Sequence, residues 1–215
     1  MSVVDIKAAS DAQPLRMLEG DLDERAFEQA LGADVIALDI ETTGLDWRCD
    51  EIGTVQLQIE DVTYVIRVNG QTPIHLKAVV EDAHVRKVLH HAMFDLRFLA
   101  RRWSVTPANV ACTKIASKLA EPEAPKQEHS LAPLVERYLG ISLDKTEQTS
   151  DWTGALSDAQ IRYAADDVRY LVPLSRRLDE KLREAGRDGL RDRCFAQLPT
   201  QVELEVGEFP DVFAY

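Results

Sequence analysis

The sequence has few cysteines and no long apolar run. Its three cysteines, Cys49, Cys112 and Cys194, are too few and too irregularly spaced for a disulfide framework or a cysteine-rich zinc site. This usage is typical of a protein from a reducing cytosol. No apolar run reaches the about 18 residues of a membrane span, and the amino terminus has no basic segment followed by an apolar one. We therefore expect no membrane span, no secretion signal and a cytoplasmic location.

Positive charge is also scarce. The 215 residues include 25 Lys and Arg against 37 Asp and Glu, which gives a net charge of −12. A protein that holds long nucleic acid on a broad basic surface has the opposite balance, so the charge argues against that class. A local basic groove, or an acidic metal pocket that takes a short anionic substrate, is compatible with this net negative charge.

The order of the apolar patterns predicts one α/β domain. The length fits roughly one domain, and 45% hydrophobic with 29% charged residues is the composition of a globular protein. The apolar run at 35–40 predicts a buried strand, and the alternation at 54–59 and 62–68 predicts an antiparallel hairpin. A short strand is expected at 88–90. These strands predict a mixed central sheet.

Helical spacing precedes the first strand, follows the last one and dominates the second half of the chain. The predicted helices are 24–31, 93–99, 113–119, 131–139, 158–171 and 174–185. The proline-rich residues 121–126 are expected to form a loop, and Pro173 is expected to break or kink a long helical pattern. We divide the chain into an N-terminal lead, residues 1–20, and a single domain, residues 21–215.

Two carboxylates close the first buried strand. Asp39 and Glu41 are two residues apart, so on a strand they project to the same face. Such a pair is self-repulsive, and burial penalises each charge further. The arrangement therefore needs a cation or a raised pKa. The alternative is a pair of solvated acids just beyond the strand end.

Two further sites carry acidic groups on helices. Asp95 lies at the start of a predicted helix, where it could equally complement the helix dipole. Ser157 and Gln160 match a capping box, which fixes the start of the predicted helix 158–171. Tyr163 and Asp167 are then an i,i+4 pair on one face of that helix, and the alternative for them is a plain surface hydrogen bond.

Together these sites supply four carboxylates and one phenol, and no histidine or cysteine cluster in the sequence competes with them for a metal. Hard oxygen ligands of this kind suit Mg²⁺ or Mn²⁺. Two such ions ~3.5–4 Å apart can stabilise both the attacking and the leaving oxygens of a phosphodiester displacement. The residues therefore point to metal-assisted phosphoryl chemistry.

Three ordered motifs resemble those of a known superfamily. DIETTGL at 39–45, HHAMFDLRFL at 90–99 and YAADD at 163–167 are similar to the exonuclease motifs of the tyrosine-bearing branch of the DEDD superfamily. Further likeness to ribonuclease D-like enzymes, and among them to the compact nanoRNase C type of oligoribonuclease, extends over roughly residues 20–215. The stretches that carry it are CTKIASKL at 112–119, TSDW at 149–152, LSDAQIRYAADDVRYL at 156–171 and CFAQLP at 194–199.

The resemblance implies a ribonuclease H-like fold with a mixed central sheet and a helix-rich C-terminal half. It also implies that Asp39, Glu41, Asp95 and Asp167 are catalytic ligands of two divalent ions, Mg²⁺ or Mn²⁺. Tyr163 would orient the attacking water.

Three other residues match positions that contact the substrate in relatives. Thr42 and Leu45 correspond to residues at the terminal nucleotide, the leucine acting as a wedge against a base. His91 falls on a frequently shared position, although a histidine beside a strand can also be purely structural. Asp166 next to Asp167 leaves the last ligand ambiguous by one residue. The Tyr-x-x-x-Asp spacing favours Asp167.

The implied activity is hydrolysis of short single-stranded RNA from its 3′ end to nucleoside 5′-monophosphates. The alternative enzyme activity is ribonuclease D-like 3′-end processing of tRNA or other structured RNA. Full-length ribonuclease D carries further helical nucleic-acid-binding domains after its catalytic module, and we expect no room for them after about residue 186. A binding module that has lost catalysis would be expected to lose ligands, and all are present. The resemblance further implies a homo-oligomer, such as an octamer, in which the aromatic tail 209–215 could pack.

Overall fold

One mixed sheet runs through the molecule. The computed structural model describes residues 4–6, 14–68, 70–143, 152, 154–209 and 211–213. Within these residues the sheet has seven strands in the order β1-β2-β5-β4-β3-β6-β7. The strands are β1 Val4–Ile6, β2 Leu15–Glu19, β3 Val35–Thr42, β4 Ile52–Ile59, β5 Val62–Arg67, β6 Arg86–Leu89 and β7 Val110–Cys112. The predicted α/β class with a mixed sheet is confirmed.

Eight α-helices and one short 3₁₀-helix, at Lys126–His129, complete the described residues. The α-helices are α1 Glu24–Gly32, α2 Ile74–Glu81, α3 Ala92–Trp103, α4 Thr113–Ala120, α5 Leu131–Leu139, α6 Asp158–Arg169, α7 Leu171–Glu184 and α8 Asp188–Val206. Each predicted helix is found within a few residues of its expected bounds, but α2 and α8 were not predicted. None of the helices in the described ranges is both long and apolar enough to cross a bilayer.

Strand β3 lies inside the sheet and carries the first two carboxylates. It pairs antiparallel with β4, which places Gln56 opposite Asp39, and parallel with β6. The pairing register shifts between Glu41 and Thr42, so the strand is irregular where its carboxylates project. Because β3 and β6 are parallel, the chain segments that follow them emerge at the same edge of the sheet.

Helix α6 lies on the sheet through a second, smaller apolar cluster. Its side chains Ile161, Ala164 and Ala165 are buried together with Val65 of β5 and Trp152. The two alanines have short side chains, so the helix backbone can approach the strands closely. This packing brings the exposed end of β3 and one face of α6 together.

The predicted break in the long helical pattern occurs at Tyr170 rather than at Pro173. Helix α6 ends at Arg169 and α7 begins at Leu171. Pro173 has no N–H, and an N–H at that position would bond to the Arg169 carbonyl in a continuous helix. The regular bonding therefore ends four residues before the proline, which then occupies the first turn of α7.

Both ends of the chain differ in detail from expectation. Residues 15–19, inside the predicted lead, form β2 and pair in parallel with β5. The division of the chain at residue 20 stays a prediction.

Phe209 and Phe213 of the aromatic tail are 59% and 66% exposed, and packing of this tail on a neighbouring subunit also stays a prediction. Most of the TSDW motif, residues 149–151, lies outside the described residues.

Candidate active site

Three of the predicted carboxylates converge where β3 meets α6. Asp39 and Glu41 project from β3 and Asp167 projects from α6. Each offers an oxygen within 4.8 Å of the others. All three are partly buried, so the alternative of solvated acids beyond a strand end does not apply. Asp166 forms an ion pair with Arg169 at 2.9 Å, which leaves Asp167 as the helix residue of this group.

The fourth carboxylate, Asp95, lies beside this group in the first turn of α3. His91 turns the chain from β6 into α3 with a left-handed backbone, φ 64°. Asp95 is only 2% exposed. Its charge acts on the pKa of Asp39 and of Glu41, which places it next to them. Helix-dipole complementarity alone does not account for an acid buried among other acids.

The four carboxylates repel one another and are poorly solvated. Burial raises the pKa of Asp39 well above its usual range, and the negative charges of Asp95 and Asp167 raise it further. Burial, followed by the same two charges, raises the pKa of Glu41 to about 8. The cluster on its own therefore holds protons near neutral pH. A divalent cation would replace those protons, and the all-carboxylate donor set fits Mg²⁺ or Mn²⁺.

Tyr163 faces the same group from α6. Its hydroxyl is hydrogen-bonded to the Asp167 side chain, and its ring packs against Trp152 with a centroid distance of 6.1 Å. Burial raises the pKa of the Tyr163 phenol above its ordinary value, and the charges of Asp167 and Glu41 add to that rise. The phenol therefore stays protonated and can donate a hydrogen bond.

The start of α6 is fixed by the predicted capping box. The Ser157 hydroxyl accepts from the Gln160 backbone N–H at 3.2 Å, and the Gln160 side chain accepts from the Ser157 N–H at 2.9 Å. With the first turn fixed in this way, the i,i+4 spacing determines that Tyr163 and Asp167 share a face.

Asp39 and Asp167 line a cleft of about 410 Å³. Its other lining residues come from the segments after β6 and β7, from the beginning of α5, from the segment after α5 and from α6. The lining residues are Asp39, His90, His91, Lys114, Ser130, Leu131, Ala132, Leu143, Tyr163 and Asp167. Lys114 is the cation of this lining.

His90 is a cleft residue that sequence reasoning missed. Burial lowers the pKa of His90 to about 3, and the neighbouring charges of Lys114 and His91 contribute. The imidazole is therefore neutral at physiological pH. The doubled histidine before Phe94 was the available signal, but the motif resemblance drew attention to His91 alone.

Of the three predicted substrate contacts, His91 lines the cleft, whereas Thr42 and Leu45 lie at the end of β3 and in the loop after it. The Thr42 hydroxyl donates to the Gly44 carbonyl at 2.6 Å and so ties the loop after β3. Leu45 in that loop is 84% exposed. His91 lines the cleft and stacks on Phe94 with a centroid distance of 6.4 Å. Their roles stay predictions.

Comparison with known proteins identifies the family. A family model described as 3′-5′ exonuclease matches residues 18–183, which is most of the chain. The chain belongs to this 3′-5′ exonuclease family. The buried acidic group described above lies within the matched residues.

Two kinds of curated relative share the 3′-5′ exonuclease domain. DNA polymerase I of Aquifex aeolicus is 38% identical over 176 residues, which cover 79% of this chain and 29% of that protein. Ribonuclease D of Cronobacter turicensis is 31% identical over 154 residues, which cover 70% of this chain and 41% of that protein. The chain thus spans less than half the length of these curated relatives.

A solved exonuclease matches the chain over nearly its whole length. Brucella melitensis NrnC bound to pGG is 34% identical, with a TM-score of 0.85, and the match covers 94% of this chain and 98% of that one. The same nuclease with bound Mg²⁺ is 33% identical, with a TM-score of 0.84. The predictions of a ribonuclease H-like fold and of a DEDD-type, ribonuclease D-like and NrnC-like 3′-5′ exonuclease are confirmed.

Proposed function

We propose that this exonuclease hydrolyses short single-stranded oligoribonucleotides, down to dinucleotides, from the 3′ end and releases nucleoside 5′-monophosphates. The observation that carries the proposal is the cleft that Asp39, Asp167, Tyr163 and Lys114 line, with Glu41 and Asp95 clustered beside those two aspartates. Near-complete coverage of NrnC, whose structure holds pGG, supports a short substrate.

We propose that the carboxylates hold two divalent ions, Mg²⁺ or Mn²⁺. Asp39, Glu41 and Asp167 would hold one, and Asp39 with Asp95 would hold the other. Bound there, such ions supply the positive charge that stabilises the attacking and leaving oxygens of a phosphodiester displacement. The acidic donor set and the Mg²⁺ in NrnC support this assignment.

Tyr163 is proposed to orient the attacking water. Its protonated hydroxyl lies on the helix face of Asp167 and is hydrogen-bonded to that carboxylate. With a water between these two groups, the phenol would donate to the water in place of Asp167, and the water would direct its own hydrogen to the carboxylate. That arrangement fixes a lone pair of the water toward the phosphorus before the reaction begins.

Three side chains are proposed to contact the substrate. Leu45 exposes an apolar side chain beside the site, which suits a wedge against a base. Thr42 holds the backbone of that loop through Gly44, and His91 would contact the terminal nucleotide from the cleft.

Charge favours short substrates. With a net charge of −12 and Lys114 as the cation of the cleft lining, the protein can neutralise few phosphates. Affinity for single strands falls by about 0.7 log units per tenfold rise in salt for each phosphate contacted. We therefore expect a shallow dependence of RNA affinity on salt.

A second candidate is ribonuclease D-like processing of tRNA or other structured RNA. The 31% identity to ribonuclease D favours it, although the match covers only 41% of that protein.

We propose in addition that the enzyme acts in the cytoplasm as a homo-oligomer, such as an octamer. The exposed Phe209 and Phe213 suit a subunit contact.

A timed digest separates these functions. The substrates are 5′-labelled RNA of two, five and twenty nucleotides, a tRNA with an extended 3′ end, and a DNA dinucleotide, each with Mg²⁺ or Mn²⁺. Preferential cleavage of the RNA dinucleotide supports the proposal. Cleavage of the 20-mer or the tRNA far faster than the dinucleotide would overturn it in favour of processing. Light scattering on the same preparation gives the oligomeric state.

A further inference from the structure

His90 occupies the wall of the cleft at the end of β6. It follows Leu89 directly and shares the cleft with Asp39 and Tyr163. One edge of its ring is held from behind, because Nδ1 lies 2.9 Å from the Thr113 hydroxyl oxygen. The ring is therefore fixed in orientation, although no step of the proposed reaction uses it.

The hydrogen bonds behind the ring favour one tautomer of the neutral imidazole. The Thr113 hydroxyl donates to the Leu89 carbonyl at 3.2 Å, and a carbonyl can only accept. The Thr113 oxygen is then the acceptor for Nδ1–H of His90. In the neutral ring this leaves Nε2 without a hydrogen. Within the described part of the chain, Nε2 has no hydrogen-bond partner, so an acceptor is presented to the cleft.

An unprotonated nitrogen selects for a donor on the substrate. It repels phosphate oxygens, for which Lys114 in the same cleft is the suitable partner. The sugars are the parts of a nucleotide nearest the bond that is broken, and their donors are hydroxyl groups. A 2′-hydroxyl is present in every ribonucleotide and absent from DNA.

We infer that Nε2 of His90 accepts a hydrogen bond from a ribose 2′-hydroxyl of the bound substrate, which makes His90 a residue that selects RNA over DNA. This inference rests on the proposed function. Thr113 acts as a positioning residue, because its hydroxyl keeps the acceptor nitrogen on the cleft side.

The test measures kcat/KM for four dinucleotides: the all-ribose form, the form with a 2′-deoxyribose at the 3′ nucleotide, the form with one at the 5′ nucleotide, and the all-deoxy form. Wild type is compared with His90→Phe, which keeps a planar ring without an acceptor, and with His90→Gln, whose amide oxygen can accept. His84→Phe is the matched control, because His84 is exposed and outside the cleft lining.

We expect His90→Phe to lower the ratio of ribose to deoxyribose kcat/KM about tenfold, the usual effect of one hydrogen bond. The ratio in His90→Gln should lie between those of wild type and His90→Phe. Thr113→Val should lower the ratio less than His90→Phe does, and His84→Phe should leave the wild-type ratio unchanged. The single-deoxy substrate that removes the effect of His90→Phe identifies the sugar concerned.

Two results would overturn the inference. An equal loss on all four dinucleotides in both His90 variants would make His90 a general structural residue, and a loss that depends on the base would make it a base reader. Melting curves of each variant exclude misfolding as the cause. If wild type cleaves no dinucleotide at all, the proposed function fails and this inference fails with it. If wild type cleaves them and the ratio is insensitive to His90, the inference alone fails.

Discussion

Burial gives the carboxylates of this site properties that the same groups lack in water. An exposed Glu ionises near pH 4.3, whereas burial and two neighbouring charges raise the pKa of Glu41 to about 8. Asp39 is affected by all three other carboxylates, so it is the centre of the repulsion. This position suits the proposed role of Asp39 as a ligand of both ions.

Asp39→Asn is expected to abolish turnover. Asp39 is assigned to both ions, and an amide lacks the charge to hold them. The measurement is the initial rate of dinucleotide hydrolysis with Mg²⁺ or Mn²⁺. Asp34→Asn is the matched control, since Asp34 lies exposed just before the same strand. Wild-type turnover in Asp39→Asn, or full wild-type activity in EDTA, would contradict the two-ion proposal.

Tyr163→Phe removes one hydroxyl and keeps the ring that packs on Trp152. If the hydroxyl orients the water, kcat should fall by about 10²- to 10⁴-fold, while stabilisation by divalent ions is retained. Stopped assays give kcat, and melting curves with and without ions give the stabilisation. Tyr138→Phe controls for loss of a phenol elsewhere, because the Tyr138 hydroxyl donates to Glu121 instead. Unchanged turnover would remove Tyr163 from the mechanism.

At the scale of secondary structure, the site depends on how β3, α3 and α6 are held. Strand β3 is held by two neighbouring strands, and α3 by Leu96, Phe98 and Leu99 in the main core. Helix α6 depends on its capping box, on the smaller apolar cluster and on Val168 in the main core. The apolar side chains that hold α6 are therefore smaller than those that hold α3.

Ser157→Ala is expected to lower the free energy of unfolding by about 1 kcal/mol, because it removes the acceptor for the Gln160 N–H. The first turn of α6 should loosen, and half-maximal activity should then require more divalent ion. Urea unfolding and an ion titration measure the two effects. Asp23→Ala removes the cap of α1, far along the chain from the site. It should cost similar stability without changing the ion requirement, and an equal change in both variants would refute the link.

At the scale of the whole molecule, the acidic cluster couples folding to protons and to cations. The raised pKa of Glu41 means that the folded protein binds more protons than the unfolded chain between about pH 4.5 and 8. Its contribution to stability is therefore present below the unfolded pKa and is lost as the pH rises through the folded one. Divalent ions bound to the cluster would compete with those protons and would favour the folded state, in which the ligands are together.

Without divalent ions, the contribution of the cluster to the melting temperature should fall between about pH 6 and about pH 9. Mg²⁺ or Mn²⁺ should offset this loss, with a gain of about 2.7 kcal/mol at an ion concentration of 100 times the dissociation constant. Thermal melting of wild type and Glu41→Gln at both pH values checks the prediction, since the variant lacks the titrating carboxyl. Equal ion stabilisation at both pH values, or none, would count against a cation site formed by these groups.

The sequence by itself determined the local features of this protein. An apolar run defined β3, alternation defined the β4–β5 hairpin, the capping box defined the start of α6, and the i,i+4 spacing put Tyr163 and Asp167 on one face. These features depend on neighbours within a few residues, so a local pattern encodes them. The missed elements lack such a signal. Strands β1 and β7 have three residues each, and α8 contains Pro199.

Only the tertiary structure decided which side chains meet. No local pattern says that β3 lies beside β6, or that α6 packs on β4 and β5, because strand order depends on pairings between distant segments. That order brings Asp95 and Asp167 to the two carboxylates of β3, whereas Asp166 pairs with Arg169 one turn along its own helix. It also turns His90 into the cleft, since the bond to Thr113 joins the ends of two strands that pair only in the folded sheet.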